Sequence, residues 1–529
     1  MNEPRQTYAP LGAPAARWFV PALGLWLGCL MWARVLMLPD EGRYAGVAWE
    51  MLRSGSHAVP LLDGMPYFHK PPLYYWLAEF SYSLFGLNAF AARLPSWLAA
   101  WTAAAGLYAF VRRYRDAATA TVAAVILATT PFFYGAAQFA NTDMMVAGLI
   151  TLCVLAGADA VLRAGESRPY RTMSLAAAAL AALAVLAKGL IGLVLPGATL
   201  CLWLILTRNR RGFAVLLWPP ALAVFALVAV PWFWLMQHRF PGFFHYFFVY
   251  QHFERFAQSG FNNVQPFWFY LPVIVGLMLP WSLWAGGALR KDFWVAADPG
   301  GLRRLMAVWA VVILGFFSIP SSKLIGYVVP AVPPLATLLA EVIQRAVRQR
   351  ATVRIRRLAR ACALGSAILC VVLVCVFATN LRKSAKPLAS RIAGQMQASD
   401  VLVTLHTYPF DLAFYTGARQ PVWVVDDWND PAIPTRDNWR KELYDAGHFD
   451  PQLADRLLVS PEAFPQRLCA APPGSRFWVW GGLDDETRYP VLQGRQPAFY
   501  DHRRKVWRID VDAAFAAQAC GPKRADDGH

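Results

Sequence analysis

Long apolar runs recur along this chain from Trp18 to Phe377, and no other feature limits its fold so strongly. A helix needs about 20 apolar residues to cross roughly 30 Å of hydrocarbon. Runs of that order, bounded by charges or by Pro and Gly, lie near 17–37, 90–111, 117–134, 144–162, 172–187, 189–206, 212–236, 266–287, 305–320, 324–342 and 360–379. The stretch 73–86 reads either as an interfacial helix or as a further crossing. With 57% hydrophobic and only 16% charged residues, the expected fold class is an α-helical polytopic membrane protein with about 11–13 transmembrane helices. That pattern excludes a single-anchor protein, a disordered chain and a nucleic-acid-binding protein.

The formal net charge of +17 encodes orientation first, because cytoplasmic loops carry an excess of Lys and Arg. Arg112, Arg113, Arg115, Arg163, Arg168, Arg171, Arg208, Arg210, Arg211, Arg290, Lys291, Arg303, Arg304 and the seven Arg from Arg345 to Arg360 fall on one side of the threading. Arg43, Arg53, Lys70, Lys188, Arg239, Arg255 and Lys323 fall on the other, so the bias is twenty to seven. The expectation is a cytoplasmic amino terminus and an external carboxyl terminus. The run from Trp18 lacks a small-residue cleavage site and reads as a signal anchor.

After Asn380 the polarity becomes ordinary, with β-like runs at 401–405, 422–425, 477–480 and 505–511 and a helical pattern after Lys386. The expected organisation is a membrane domain over 1–380, with an external loop over 38–89, followed by a small soluble α/β domain over 381–529. That domain belongs in the periplasm of a Gram-negative cell or outside another kind of membrane. Six cysteines lie in apolar segments, where a thiol acts as a small hydrophobe; Cys469 and Cys520 lie in the soluble domain, where an oxidising compartment permits a disulfide.

Laid on this threading, the unusual polar residues share the external side. Asp40-Glu41-Gly42-Arg43-Tyr44 follows the first run, His69-Lys70-Pro71-Pro72 ends the loop, Asn141-Thr142-Asp143 opens the fourth run and Lys188-Gly189 divides the fifth from the sixth. Phe253-Glu254-Arg255-Phe256 and Ser322-Lys323 with Tyr327 complete the set. Taken singly, each has a plain structural reading. Asp40, Glu41 and Arg43 suit a solvated helix end, Asp143 a cap, and Lys188 and Lys323 snorkelling at an interface. Taken together, two carboxylates, several cations and a tyrosine on one face suit a reaction in which a base removes a proton while cations hold an anionic leaving group. A transporter or flippase of lipid-linked sugars is the alternative, but it usually shows internal repeats and midplane charges.

These motifs, with Ala187-Lys188-Gly189, Leu84-Phe85-Gly86, Lys386-Pro387-Leu388-Ala389 and Phe414-Tyr415, resemble the ArnT and protein O-mannosyltransferase superfamily over nearly the whole chain. These are GT-C glycosyltransferases with polyprenyl-phosphate-sugar donors. The resemblance implies an inverting transfer, with Asp40 as catalytic carboxylate and Asp143 as a second acid. It implies Lys70, Arg255 and Tyr327 as the grip on the donor phosphate. Glu41, Arg43, His69, Lys188 and Lys323 are secondary candidates. A divalent metal near Asp143 and His69 is compatible with the family, although His69 stands where ArnT members commonly have Glu. The implied partners are a polyprenyl-phosphate-linked sugar, carrying 4-amino-4-deoxy-L-arabinose or a hexose, a lipid A, glycan or protein acceptor, and membrane lipids, with no nucleic acid. The implied location is the bacterial inner membrane.

Overall fold

The computed structural model describes residues 13–254, 263–350, 353–379, 381 and 384–520. The chain divides into two compact units, one of residues 1–34 and 69–379, the other of residues 35–68 and 380–529. The first is helical and membrane-spanning. The second carries all the named strands.

Among the described residues of the first unit, seven helices are long and apolar enough to cross a membrane. They are Ala89–Tyr114, Thr142–Gly165, Arg171–Lys188, Pro219–Arg239, Pro299–Ser318, Ile325–Gln349 and Val353–Ala378. Two further runs are realised as bent pairs. Ala117–Thr129 meets Pro131–Ala137 at 67°, and Tyr270–Leu277 meets Trp281–Gly287 at 115°. The breaks coincide with Pro131 and Pro280, each of which lacks the N–H that an uninterrupted helix would use. The last two runs are helices of 15 and 16 residues, Ala13–Leu27 and Ile191–Leu206. All eleven apolar runs are thus helical, and among the described residues seven to nine of them have the length and composition of a full span. The run at 73–86 is the 13-residue helix Leu73–Phe85.

Helix starts are set locally. Asn88, Asp116 and Asn141 each accept a backbone N–H of the first turn, as short polar caps do. Gly189, at a φ of 83°, ends the Arg171–Lys188 helix and leaves Lys188 on its last turn.

The second unit is built on a six-stranded mixed sheet. With β1 at Leu61–Leu62 and β2 at Met65–Pro66 forming a small hairpin, the sheet strands are β3 (Val401–Leu405), β4 (Trp423–Val425), β5 (Leu458–Val459), β6 (Arg476–Gly482), β7 (Phe499–Tyr500) and β8 (Arg504–Asp510). Their order is β5-β4-β3-β6-β8-β7. The pairs β3–β4, β3–β6 and β4–β5 are parallel; β6–β8 and β7–β8 are antiparallel. The central β3 is an almost unbroken apolar run, as a strand covered on both faces must be. Its core includes Val403, Leu405, Phe477, Val479, Trp507 and Ile509. Cys469 and Cys520 are joined in a disulfide.

Residues 35–68 group with the carboxyl-terminal unit, a division the expected boundary at 380 did not contain. The reason is visible in the bonding. Val422 N–H donates to Asp63 Oδ1 at 2.7 Å, Arg53 to the Ala418 carbonyl at 2.8 Å, and Leu36 N–H to the Tyr415 hydroxyl at 2.8 Å. Phe68 packs edge-on against Phe449, with ring centroids 4.8 Å apart. Burial raises the carboxyls of Glu50 and Asp63 above their ordinary range, Asp63 further because Glu50 is its neighbour.

Candidate functional site

In the membrane-spanning unit three of the expected residues come together. Asn141 caps the Thr142–Gly165 helix through its side-chain oxygen and places Asp143 in the first turn. Gly189 ends the neighbouring helix just after Lys188. A carboxylate at a helix start and an ammonium at a helix end are each favoured by the local peptide dipoles, and here the two form an ion pair. Side-chain exposures of 18% for Asp143 and 11% for Lys188 leave both largely shielded from solvent. The Lys188 ammonium also lies 4.7 Å from the centre of the Tyr327 ring, the geometry of a cation–π contact. Phe317 supports that ring at 5.2 Å.

Val146, Ile150, Ile191, Leu195, Phe317 and Pro330 wall a recess that holds Asp143, Lys188, Gly326 and Tyr327. Gly326 lies close against the carboxylate: a Cβ there would stand 2.5 Å from Asp143 Oδ2, so any larger residue displaces that side chain. The sequence signal for it was its place immediately before Tyr327, which the motif reading did not use. An acid, an ammonium and a phenol in an apolar recess can orient a phosphate or sugar oxygen and stabilise charge on it.

Other expected residues of this unit have further contacts. Lys70 donates to the carbonyl of His69 at 3.0 Å. His69 is buried, with its ring 6.0 Å from that of Tyr246. Tyr246 belongs to a π-helix, His245–Glu254, a wide-turn form that occurs frequently at functional positions. Lys323 donates to the carbonyls of Gln265, at 3.0 Å, and Pro320. Its charge therefore ties together the segments 263–265 and 321–323, which also pair through their backbones. Arg255 lies outside the described residues.

No group of three or more His, Cys, Asp and Glu among the described residues is arranged to hold a metal ion. Asp143 pairs with Lys188 and the His69 ring lies beside that of Tyr246; no step is assigned to a metal.

The second unit holds a different cluster, on the helix Asp40–Ser54. Asp40 Oδ1 is 2.5 Å from Arg43 Nη2, and the other arm of that guanidinium pairs with Glu442. Tyr67 donates its hydroxyl to the far oxygen of Glu442 at 2.8 Å. Arg43 also lies 5.3 Å from the centre of the Tyr44 ring and 5.7 Å from that of Phe410. Burial opposes the Arg43 charge, but Glu442, Tyr67, Tyr44 and Asp40 outweigh it, and the guanidinium is held well above its ordinary range. Asp40 is half exposed. Glu41 is buried and accepts the Met37 N–H at 3.0 Å, a helix-start role.

Gly42 and Gly46 give this helix a bare stripe. A Cβ on Gly42 would meet the Asp411 N–H at 3.0 Å, and one on Gly46 the Phe410 carbonyl at 2.9 Å. Beneath Gly42, the wholly buried Asp411 accepts the Ser384 hydroxyl at 2.6 Å and the Ala385 N–H at 3.0 Å. Burial lifts its carboxyl to about 7. Sequence reasoning missed Glu442, Tyr67 and Asp411, whose partners are remote in the chain.

Comparison with known proteins adds to this geometry. Residues 69–234 match the family of dolichyl-phosphate-mannose-protein mannosyltransferases. An undecaprenyl phosphate-alpha-4-amino-4-deoxy-L-arabinose arabinosyl transferase from Enterobacter sp. is 34% identical over 319 residues, which are 58% of this chain and 55% of that protein. The chain thus spans about half the length of this curated relative. The protein of the same name from Pseudomonas paraeruginosa is 28% identical over 498 residues, 91% of this chain and 88% of the relative. The crystal structure of ArnT from Cupriavidus metallidurans bound to undecaprenyl phosphate superposes with a TM-score of 0.76 at 24% identity, covering 97% of this chain and all of that one. The fold is that of the ArnT structure, and the chain is a multi-pass membrane protein.

Proposed function

We propose that this ArnT-like chain is an inverting glycosyltransferase that takes a sugar from a polyprenyl-phosphate donor and passes it to a lipid A, glycan or protein acceptor. The observation that carries the reading is the Asp143–Lys188–Tyr327 cluster: ionisable groups are brought together in an apolar recess of a membrane unit, where each costs a few kcal/mol, roughly, unless used. The likeness to transferases named for an undecaprenyl-phosphate-linked aminosugar supports a lipid-phosphate donor. The sugar it favours is 4-amino-4-deoxy-L-arabinose, and lipid A, the acceptor the sequence resemblance implies, is the one to test first.

In this reading Asp40 removes the proton from the acceptor hydroxyl as that oxygen attacks the anomeric carbon. The bond to the phosphate oxygen breaks on the opposite face, which inverts the centre, and the electron pair leaves with the polyprenyl phosphate. Lys70, Arg255 and Tyr327 bind that phosphate and offset its developing charge. Lys188 fixes Asp143 and the ring of Tyr327 in register. The twenty-to-seven bias of basic residues and the Cys469–Cys520 disulfide support an inner-membrane protein with its amino terminus in the cytoplasm and its sheet-bearing unit in the periplasm.

The test uses purified full-length protein with the aminoarabinosyl donor and lipid A. Asp40→Asn is expected to lose at least about 100-fold in turnover while binding undecaprenyl phosphate as the parent does. Lys70→Ala is expected to weaken that binding. Full turnover in Asp40→Asn removes the base assignment. Movement of labelled lipid across proteoliposomes without any new glycosidic bond removes the transferase reading.

A further inference from the structure

The candidate base is not held by its own helix alone. Arg43, one turn beyond Asp40, is shared between two carboxylates: one guanidinium arm meets Asp40 at 2.5 Å and the other meets Glu442, 399 residues away in the chain. Glu442 is itself fixed. Its side chain is 8% exposed, its second oxygen takes the Tyr67 hydroxyl at 2.8 Å, and its helix, Trp439–Gly447, is capped by Asn438. From this arrangement we infer that Glu442 is a positioning residue, acting through Arg43 to set both the direction and the basicity of Asp40. The inference rests on the reading of Asp40 as the base.

The physical reason is the division of one cation between two anions. A guanidinium is a planar fork that satisfies two partners at fixed angles. While Glu442 occupies one arm, Asp40 receives only the other, so one carboxylate oxygen is engaged and the half-exposed group stays open to an acceptor. Without the Glu442 charge, the full field of Arg43 falls on Asp40. The fork closes on it, the anion is stabilised, and a stabilised carboxylate is a weaker base.

The charged and titratable groups facing this cluster come from several elements. Among the described residues of this unit they include Tyr44 on the same helix, Tyr67 after the β1–β2 hairpin, Glu442 from its own helix, and Asp411 beneath Gly42. The adjacent Lys441 pairs with Asp445 at 3.2 Å.

Glu442→Gln keeps the size and the acceptor for Tyr67 but removes the charge. In the full-length protein it should lower kcat about tenfold and leave both the donor KM and the affinity for undecaprenyl phosphate within about twofold. It should also move the acidic limb of the pH–rate profile to lower pH. Glu442→Asp, which keeps the charge, should recover much of the rate and the parental limb. A merely structural Glu442 would instead lower activity in proportion to the folded fraction, with the limb unmoved. Parental kcat, or an unmoved limb, in Glu442→Gln overturns the inference. Should that variant not fold, Tyr67→Phe takes its place: without the hydroxyl, Glu442 draws more of Arg43, so a small displacement of the limb to higher pH supports the inference and an unmoved limb overturns it. An inactive Asp40→Asn beside an unaffected Glu442→Gln removes only the positioning role, whereas a fully active Asp40→Asn removes the base assignment beneath it.

Discussion

The two units each hold a cluster of charge, and they build it by opposite means. In the membrane-spanning unit, Asp143 and Lys188 form a close pair walled by Val146, Ile150, Ile191 and Leu195, with the Tyr327 ring on the ammonium. In the sheet-bearing unit, Asp40, Arg43, Glu442 and Tyr67 form a chain in which a buried cation is shared and the terminal carboxylate reaches solvent. Where water is scarce, charge is tolerated as a matched pair, and removing either member exposes the full desolvation cost of the other. Where water is near, the same kinds of groups can be graded, since each carboxylate takes only part of the cation. The first arrangement is all-or-none and the second is adjustable.

The sharpest way to break this contrast is to halve the membrane pair. Lys188→Met leaves Asp143 buried without its ammonium and should cost about 3–5 kcal/mol, measured as a fall in the melting temperature of the detergent-solubilised protein. Replacing both groups, as Asp143→Leu with Lys188→Met, should restore most of that stability while turnover stays absent. A single variant that melts with the parent would show that the pair is not matched in the sense argued.

A smaller effect is expected from Gly326→Ala. The added methyl would press on Asp143 Oδ2, and an overpacked contact of this kind costs about 1–3 kcal/mol. Melting together with turnover measures it. Unchanged turnover would mean that the carboxylate can move without consequence, which would blunt the contrast.

The smallest effect is a pH dependence in the sheet-bearing unit. Asp411 is raised from an ordinary 3.8 to about 7, so in that window the folded unit holds a proton that the unfolded chain releases. Stability is then highest at the acidic end and falls as pH rises through 7, by about 1 kcal/mol between pH 6 and 7.5. Hydrogen exchange at β3 follows that fall, and Asp411→Asn should flatten it. A slope unaltered in that variant would assign the dependence to other groups.

The helical unit was legible in the sequence because its signal is long and repeated: each of the eleven apolar runs became a helix. Their lengths were not legible, since the bends at Pro131 and Pro280 and the shortness of Ala13–Leu27 and Ile191–Leu206 depend on packing. The four β-like runs fell on β3, β4, β6 and β8, whereas β5 and β7, two residues each, are too short to show alternation. Within the site, Asp143, Lys188 and Tyr327 were found from their motifs and do meet. Glu442 was not, because Trp439-Arg440-Lys441-Glu442 reads as an ordinary charged helix face. Only the fold reveals its partner. The same limit hid the grouping of 35–68 with the final 150 residues, which rests on hydrogen bonds spanning more than 350 positions.

That grouping bears on how the protein is made. The segment carrying Asp40 precedes ten of the eleven apolar runs, yet its fold partners follow them all. Until then it can close no contact with β4 or with the Trp439–Gly447 helix, and it waits as an unsatisfied strand of chain. Competence would therefore wait for residues well beyond the last apolar run, and a product stalled before residue 440 would have a finished membrane portion with an unassembled acid.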